Sequence, residues 1–324
     1  MKNWLFLAGI AILPLFGQAQ VNMGTLSEDE RSRLEALGRA PSDTIPKTWL
    51  FGGKFTLNFS QTYLSNWAAG GQNSLAGTTF ASMFSRYKKE RNSWENTLDL
   101  AYGLLSQDDR SPIKTDDRID FTSKYGYQSS NPKLYYSALF NFRTQFAPGF
   151  NIADGVEIGD PISDFMAPAF SIFSLGIDYK PNERFSAMVS PITAKATFVN
   201  IDRLAPEYGL DPGENARYEF GAFVKVAYTV DVVENVNWQT RIDLFSNYFE
   251  NPQNVDVNWE NLITMKINEW LSASIITQLI YDDDIIIGMQ DAVIVDDVVV
   301  TPAISGGPRT QFKEVFSLGL SLKI

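Results

Sequence analysis

The chain has 324 residues, with 38 acidic against 27 basic side chains and a net charge of −11, and it contains neither cysteine nor histidine. No basic stripe exists for nucleic acid. Without cysteine there is no disulfide framework, thiol nucleophile or lipidated N-terminal cysteine, and without histidine the usual imidazole base of hydrolytic enzymes is missing.

The chain begins with Lys2, an apolar run over 4–16 broken by Pro14, and Gly17-Gln18-Ala19 as a small-x-small cleavage site. Residues 1–19 therefore predict a cleaved export signal. A membrane-anchoring helix is the poorer reading, because a span needs ~20 apolar residues. Residues 20–48 predict a leader. Ser27-Glu28-Asp29-Glu30 reads as a capping box opening a short helix from Arg31 to Arg39, which Pro41 and Pro46 stop. The sharper alternative is a plug entering the domain that follows.

From Trp49 onward the period becomes two. Phe55, Leu57 and Phe59 alternate with Lys54, Thr56 and Asn58; a second strand over 76–87 is less clean, with Phe80 and Phe84 opposing Ala81 and Met83. Leu98, Leu100 and Tyr102 alternate with Thr97, Asp99 and Gly103, then Ile119 and Phe121 with Asp120 and Thr122, then Phe140 and Phe142 with Asn141 and Arg143. Further on, Phe173, Leu175 and Ile177 oppose Ser174 and Gly176, and Pro191 marks a bulge or kink in the next strand. Three more alternating strands lie at 217–228, 238–244 and 255–267, followed by 271–281 and the closing Gln311 to Ile324.

The connections alternate between short and long. Short ones fall near 88–92, 129–133, 180–183, 231–235 and 268–270; long ones at 65–75, 106–118, 147–168, 200–216, 247–254 and 282–309. Outward aromatics gather at both strand ends, Tyr63, Tyr102, Phe146 and Tyr218 at one and Trp94, Tyr127, Tyr136 and Tyr179 at the other. Short turns, long loops and two girdles predict an all-β, antiparallel up-and-down transmembrane β-barrel over 49–324, with about twelve strands. The apolar runs Ile285–Ile287 and 293–300 predict a hairpin above the surface, a partner-binding edge, or two more strands making fourteen. Closure requires the strand at Lys54 to Tyr63 to pair with the last strand, because an unpaired edge in hydrocarbon is costly.

That last strand resembles the closing strand of bacterial outer-membrane barrels, and Ser317 to Ile324 resembles their assembly signal, although Ile324 stands where an aromatic is usual. The run Asn66-Trp67-Ala68-Ala69-Gly70-Gly71-Gln72-Asn73-Ser74 resembles the NWxxGGxNS loop of a Bacteroidota outer-membrane barrel family known only as a domain of unknown function. Lys114-Thr115-Asp116-Asp117 and Ser163-Asp164-Phe165 before Ala167-Pro168 support the likeness. It implies an outer-membrane location, and as partners the membrane lipid, lipopolysaccharide and, through the C-terminal strand, the assembly machinery. It implies no activity.

Asn66, Trp67, Gly70, Gly71 and Asn73 are the candidate recognition loop, for a glycan or solute; the plainer reading is a tight turn with Trp67 folded into the mouth. The predicted lumen-lining charges include Lys54, Glu95, Asp99, Asp120, Lys124, Arg143, Arg217, Glu219, Arg241 and Asp243. Their signs nearly balance, which reads as paired charges rather than an ion-selective ring. The carboxylate pairs at 108–109, 116–117 and 296–297 and the triplet at 282–284 read as solvated loop charge, the alternative being a weak calcium or lipopolysaccharide-bridging cation site. No cofactor or metal is expected. The expected function is a non-enzymatic outer-membrane barrel, a narrow pore for small solutes; the alternative is a closed barrel with a structural or partner-binding role.

Overall fold

The computed structural model describes residues 48–65, 72–107, 110–153, 155–182, 184–268, 270–287, 293–295, 298–301 and 306–323. The expected export signal and the leader helix, both within residues 1–47, lie outside the described residues, as do Asn66 to Gly71, both Asp108-Asp109 and Asp296-Asp297, and Ile324.

The strands are β1 (Trp49–Thr62), β2 (Ser74–Lys89), β3 (Asn92–Gln107), β4 (Ile113–Gln128), β5 (Leu134–Thr144), β6 (Gly149–Ala153), β7 (Val156–Ser163) and β8 (Ala169–Asn182). Then come β9 (Phe185–Phe198), β10 (Ala216–Val233), β11 (Val236–Asn247), β12 (Asp256–Lys266) and β13 (Leu271–Tyr281). The last are β14 (Val293–Val295), β15 (Val298–Thr301) and β16 (Gln311–Lys323). Twelve of them close into one barrel in the order β1-β16-β13-β12-β11-β10-β9-β8-β5-β4-β3-β2, every pair antiparallel. The fourteen-strand alternative is wrong: β14 and β15 pair only with each other. A second hairpin, β6–β7, stands in the long connection between β5 and β8.

Closure occurs where expected. Lys54 to Asn58 run against Lys323 to Gly319, so the first and last barrel strands remove each other's open edge.

Packing is inverted relative to a water-soluble domain. On the outer face Phe51 is 70% exposed, Phe59 61% and Phe220 53%, whereas inside the barrel Asp120 is 0% and Asp178 1% exposed. Period two sends each strand's apolar set outward and its polar set inward. Rings on neighbouring strands pair at the rims, Tyr102 with Phe146 at 6.4 Å and Phe198 with Tyr218 at 6.3 Å on the long-loop side, and Tyr228 with Trp238 at 6.4 Å on the short-turn side.

Bulges decide which side chains enter the lumen. In β9, Gly221 opposes Thr193 but Phe223 opposes Ser190, so one extra residue of β9 is accommodated around Pro191. Ser186, Met188 and Ser190 are buried before it, and Thr193, Lys195 and Thr197 after it. The bulge thus switches the inward set from even to odd numbers and turns Lys195 into the interior. Gly176 permits the close approach, since a Cβ there would meet the Val189 carbonyl oxygen at 2.2 Å.

Candidate functional site

The interior holds three tiers of charge. Nearest the short turns, Lys124 of β4 lies 3.1 Å from Asp178 of β8, which also accepts from the Ser186 hydroxyl at 2.9 Å. Lys180 lies 3.5 Å from Asp178 and 3.9 Å from Glu95, and Arg86 holds the other Glu95 oxygen.

At mid-height, Arg143 of β5 places Nε 3.1 Å from Asp120 of β4 and Nη2 3.5 Å from Asp243 of β11. Between β5 and β11 the wall runs through β8, β9 and β10, so this side chain crosses the lumen rather than following the wall. Lys225 sits 3.1 Å from Asp243, Arg241 sits 2.6 Å from Glu260, and the Asn141 amide donates to Asp120 at 2.7 Å. Asp99 accepts from the Ser82 hydroxyl at 2.5 Å.

Towards the long loops, Lys195 gathers carboxylates from three elements: Asp256 at 2.6 Å, Asp282 at 3.1 Å and Glu219 at 3.5 Å. Arg217 lies 3.0 Å from Glu219 and 2.7 Å from Asp284. On the β4 and β16 side of the same end, Lys313 lies 3.3 Å from Asp116. Such pairs persist in a low-dielectric interior only because each charge carries an opposite one with it.

Above this the long-loop end is capped. A 3-10 helix, Asp202–Tyr208, ends at Gly209 in a left-handed conformation. Its Leu204, Ala205 and Tyr208 pack with Ala167, Val199, Leu210 and Ile285 in one buried apolar cluster, against which Phe170 of β8 and Ile287 lie. Three loops are tied together by main-chain bonds: the Asn200 N–H donates to Met166 O and the Ile286 N–H to Glu207 O, each at 3.0 Å. Burial, with the Glu207 carboxylate beside it, pushes the Tyr208 hydroxyl well above its ordinary value.

All ten predicted lumen charges lie on the inward face: Lys54 borders a cavity on the β1 side and the other nine stand in the contacts above. Of the recognition loop only Asn73 is described; it is exposed and its side-chain oxygen accepts from the Leu64 N–H at 2.7 Å, closing the base of the loop. The structure does not bring it to the charge tiers. Reading the acidic pairs as solvated loop charge fails where it can be checked. Asp116 and Asp117 belong to β4 and are 6% and 0% exposed; Asp117 accepts from the Phe146 and Ala147 N–H groups at 2.7 and 3.0 Å and lies 2.8 Å from Lys114. Asp282 is likewise buried, on Lys195. Arg86, Arg118 and Lys180 are interior cations that the sequence reading missed, although the first two sit at inward parity in their strands.

Cavities border these charges among the described residues. One of about 110 Å³ lies between β1–β4 and β12, β13 and β16; another of about 80 Å³ lies below the cap, bordered by Phe170, Lys195, Phe223 and Asp256. Among the described residues no cluster of potential metal ligands stands together.

Residues 59–150 match the family described as "Protein of unknown function (DUF3078)", a stretch that includes the Asn66 to Ser74 run. No curated protein sequence matches. Among solved structures, the COG4313 outer membrane channel from Pseudomonas putida F1 is 12% identical with a TM-score of 0.37, over 88% of this chain and 100% of that one. The translocator domain of the autotransporter NalP from Neisseria meningitidis is 9% identical with a TM-score of 0.35, over 91% and 94%. OmpT of Vibrio cholerae is 10% identical with a TM-score of 0.28, over 87% and 100%.

Proposed function

We propose that this chain is an outer-membrane barrel whose interior is closed by ion pairs, and that it serves as a non-enzymatic structural or partner-binding protein presenting its long loops at the surface. The observation that carries this reading is the bridge Asp120–Arg143–Asp243, which spans the lumen with side chains at most 14% exposed. A water-filled channel would leave such charges hydrated. The outward apolar face and the two rims of rings support residence in a lipid bilayer. The exposed Phe312, Phe316, Leu318 and Leu320 on β16 suit a last strand that meets lipid and the assembly machinery. The resemblance of the loop run Asn66 to Ser74 is the ground for reading a Bacteroidota source.

A narrow pore is the second reading, favoured by the cavity of about 110 Å³ on the wall opposite the Arg143 bridge. Planar-bilayer recording separates the two. Closed barrels, their fold verified by heat-modifiable gel mobility, give no single-channel steps above baseline; regular steps from wild-type protein would reject the closed reading and establish the pore.

A further inference from the structure

The interior cavity of about 110 Å³ is bordered by a cation, Arg118, that takes no part in the charge tiers. Arg118 of β4 sits at inward parity between Asp116 and Asp120, yet no hydrogen bond or ion pair joins it to a described residue, and its Nε is buried without an acceptor. The other interior cations differ: Lys124, Arg143, Lys195, Arg217, Lys225 and Arg241 each stand within 4.0 Å of a carboxylate. With no acceptor among the described residues for the buried Nε of this half-buried guanidinium, the group has capacity for a bound partner.

The cavity of about 110 Å³ beside Arg118 has room for one. Its two carboxylates are already engaged, Glu260 by Arg241 at 2.6 Å and Asp99 by Ser82 at 2.5 Å. Lys54 adds a second positive charge to the lining. The remaining polar groups are hydrogen-bond donors of small reach, chiefly Asn58 and the Ser274 and Ser317 hydroxyls, which stand 2.7 Å apart. Phe80 and Ile276 provide apolar wall. The lining thus carries two cations against two carboxylates, and of these four charges the Arg118 guanidinium is the one left uncommitted among the described residues.

We propose that this cavity binds a small oxyanion, a carboxylate or phosphate group, on Arg118. A guanidinium presents parallel N–H donors that match two oxygens of such a group, and a low-dielectric wall strengthens the contact. The hydroxyl and amide donors take the remaining oxygens. Cavity size limits the solute to a small one, and the site does not depend on whether the barrel conducts.

The test uses the full mature chain refolded in a non-ionic, phosphate-free detergent, so that no lipid headgroup can supply the anion. Calorimetric titration with sodium phosphate, and separately with sodium acetate, is compared with sodium chloride at matched ionic strength. The expected result is saturable binding of at least one oxyanion with a dissociation constant at or below about 1 mM. Arg118→Gln should weaken it by about tenfold or more. Lys133→Gln, in an exposed short turn, should leave it unchanged. Should Arg118→Gln fail to fold, the wild type alone decides, because bound oxyanion raises its thermal midpoint relative to chloride. No saturable binding by either oxyanion, protection equal to that of chloride, or undiminished binding by a folded Arg118→Gln would overturn the proposal.

Discussion

Arg143→Met keeps much of the aliphatic stem and removes the charge that crosses the lumen. Asp120, 0% exposed, then loses its cation at 3.1 Å and retains the Asn141 amide at 2.7 Å. Asp243 is less affected, since Lys225 remains at 3.1 Å. One buried carboxylate is thus left uncompensated, a change that costs about 3–5 kcal/mol when the ion is fully desolvated. Adding Asp120→Asn removes the stranded charge and should recover about half of that loss, a coupling of about 2 kcal/mol, because the two residues act as one unit. The assay is urea unfolding of barrel refolded in detergent micelles, followed by tryptophan fluorescence, with the slope checked so that midpoints report stability. If Arg143→Met stays within about 0.5 kcal/mol of wild type, or the double variant is no better than the single, then water rather than Arg143 compensates Asp120 and the closed interior is wrong.

Lys195→Met should be at least as damaging, about 3–5 kcal/mol, because Asp256, Asp282 and Glu219 are left facing one another; Lys195→Met/Asp256→Asn should recover part of the loss in the same unfolding assay. Gly176→Ala should cost about 1–3 kcal/mol, since its Cβ meets the backbone oxygen of Val189 and the bulge cannot yield as a side chain would. A parental midpoint for that variant would show that the β8–β9 register around Pro191 differs. Leu204→Ala removes packing from the fully buried cap cluster and should loosen it by about 2–4 kcal/mol locally. Limited proteolysis should then cut the 200–216 connection faster while gel mobility of the barrel is unchanged; equal cutting rates would mean that the cap is not packed.

The barrel was legible because period two is written into strand after strand, and because short and long connections alternate. Phe173, Leu175 and Ile177 against Ser174 and Gly176 need no tertiary information to sort. What escaped is where tertiary geometry overrides the local pattern. Asp116 and Asp117 resemble loop charge until a bulge near Thr115 carries β4 upward and the Phe146–Ala147 backbone folds over them. The loop 200–216 hid its cap, although Leu204 and Tyr208, spaced four apart with Ala205, form an apolar face of the kind a helical turn makes. Asp154-Gly155 between two short apolar runs was a hairpin signal for β6–β7 that went unused. Ten lumen charges could be assigned by parity, but their partners could not, because Arg143 reaches across the lumen to a strand 100 residues later.

Everything in this account depends on alternate side chains meeting hydrocarbon on one side and a filled interior on the other. A chain with no cysteine allows that to be read directly by single cysteine substitutions at Ile172, Phe173, Ser174, Leu175 and Ile177 of β8, in barrels reconstituted into lipid vesicles. With an environment-sensitive fluorophore on each, positions 173, 175 and 177 should be quenched by lipid-borne quencher, whereas 172 and 174 should be shielded from it. Uniform quenching along the strand, or water-like emission at 173, 175 and 177, would contradict the account.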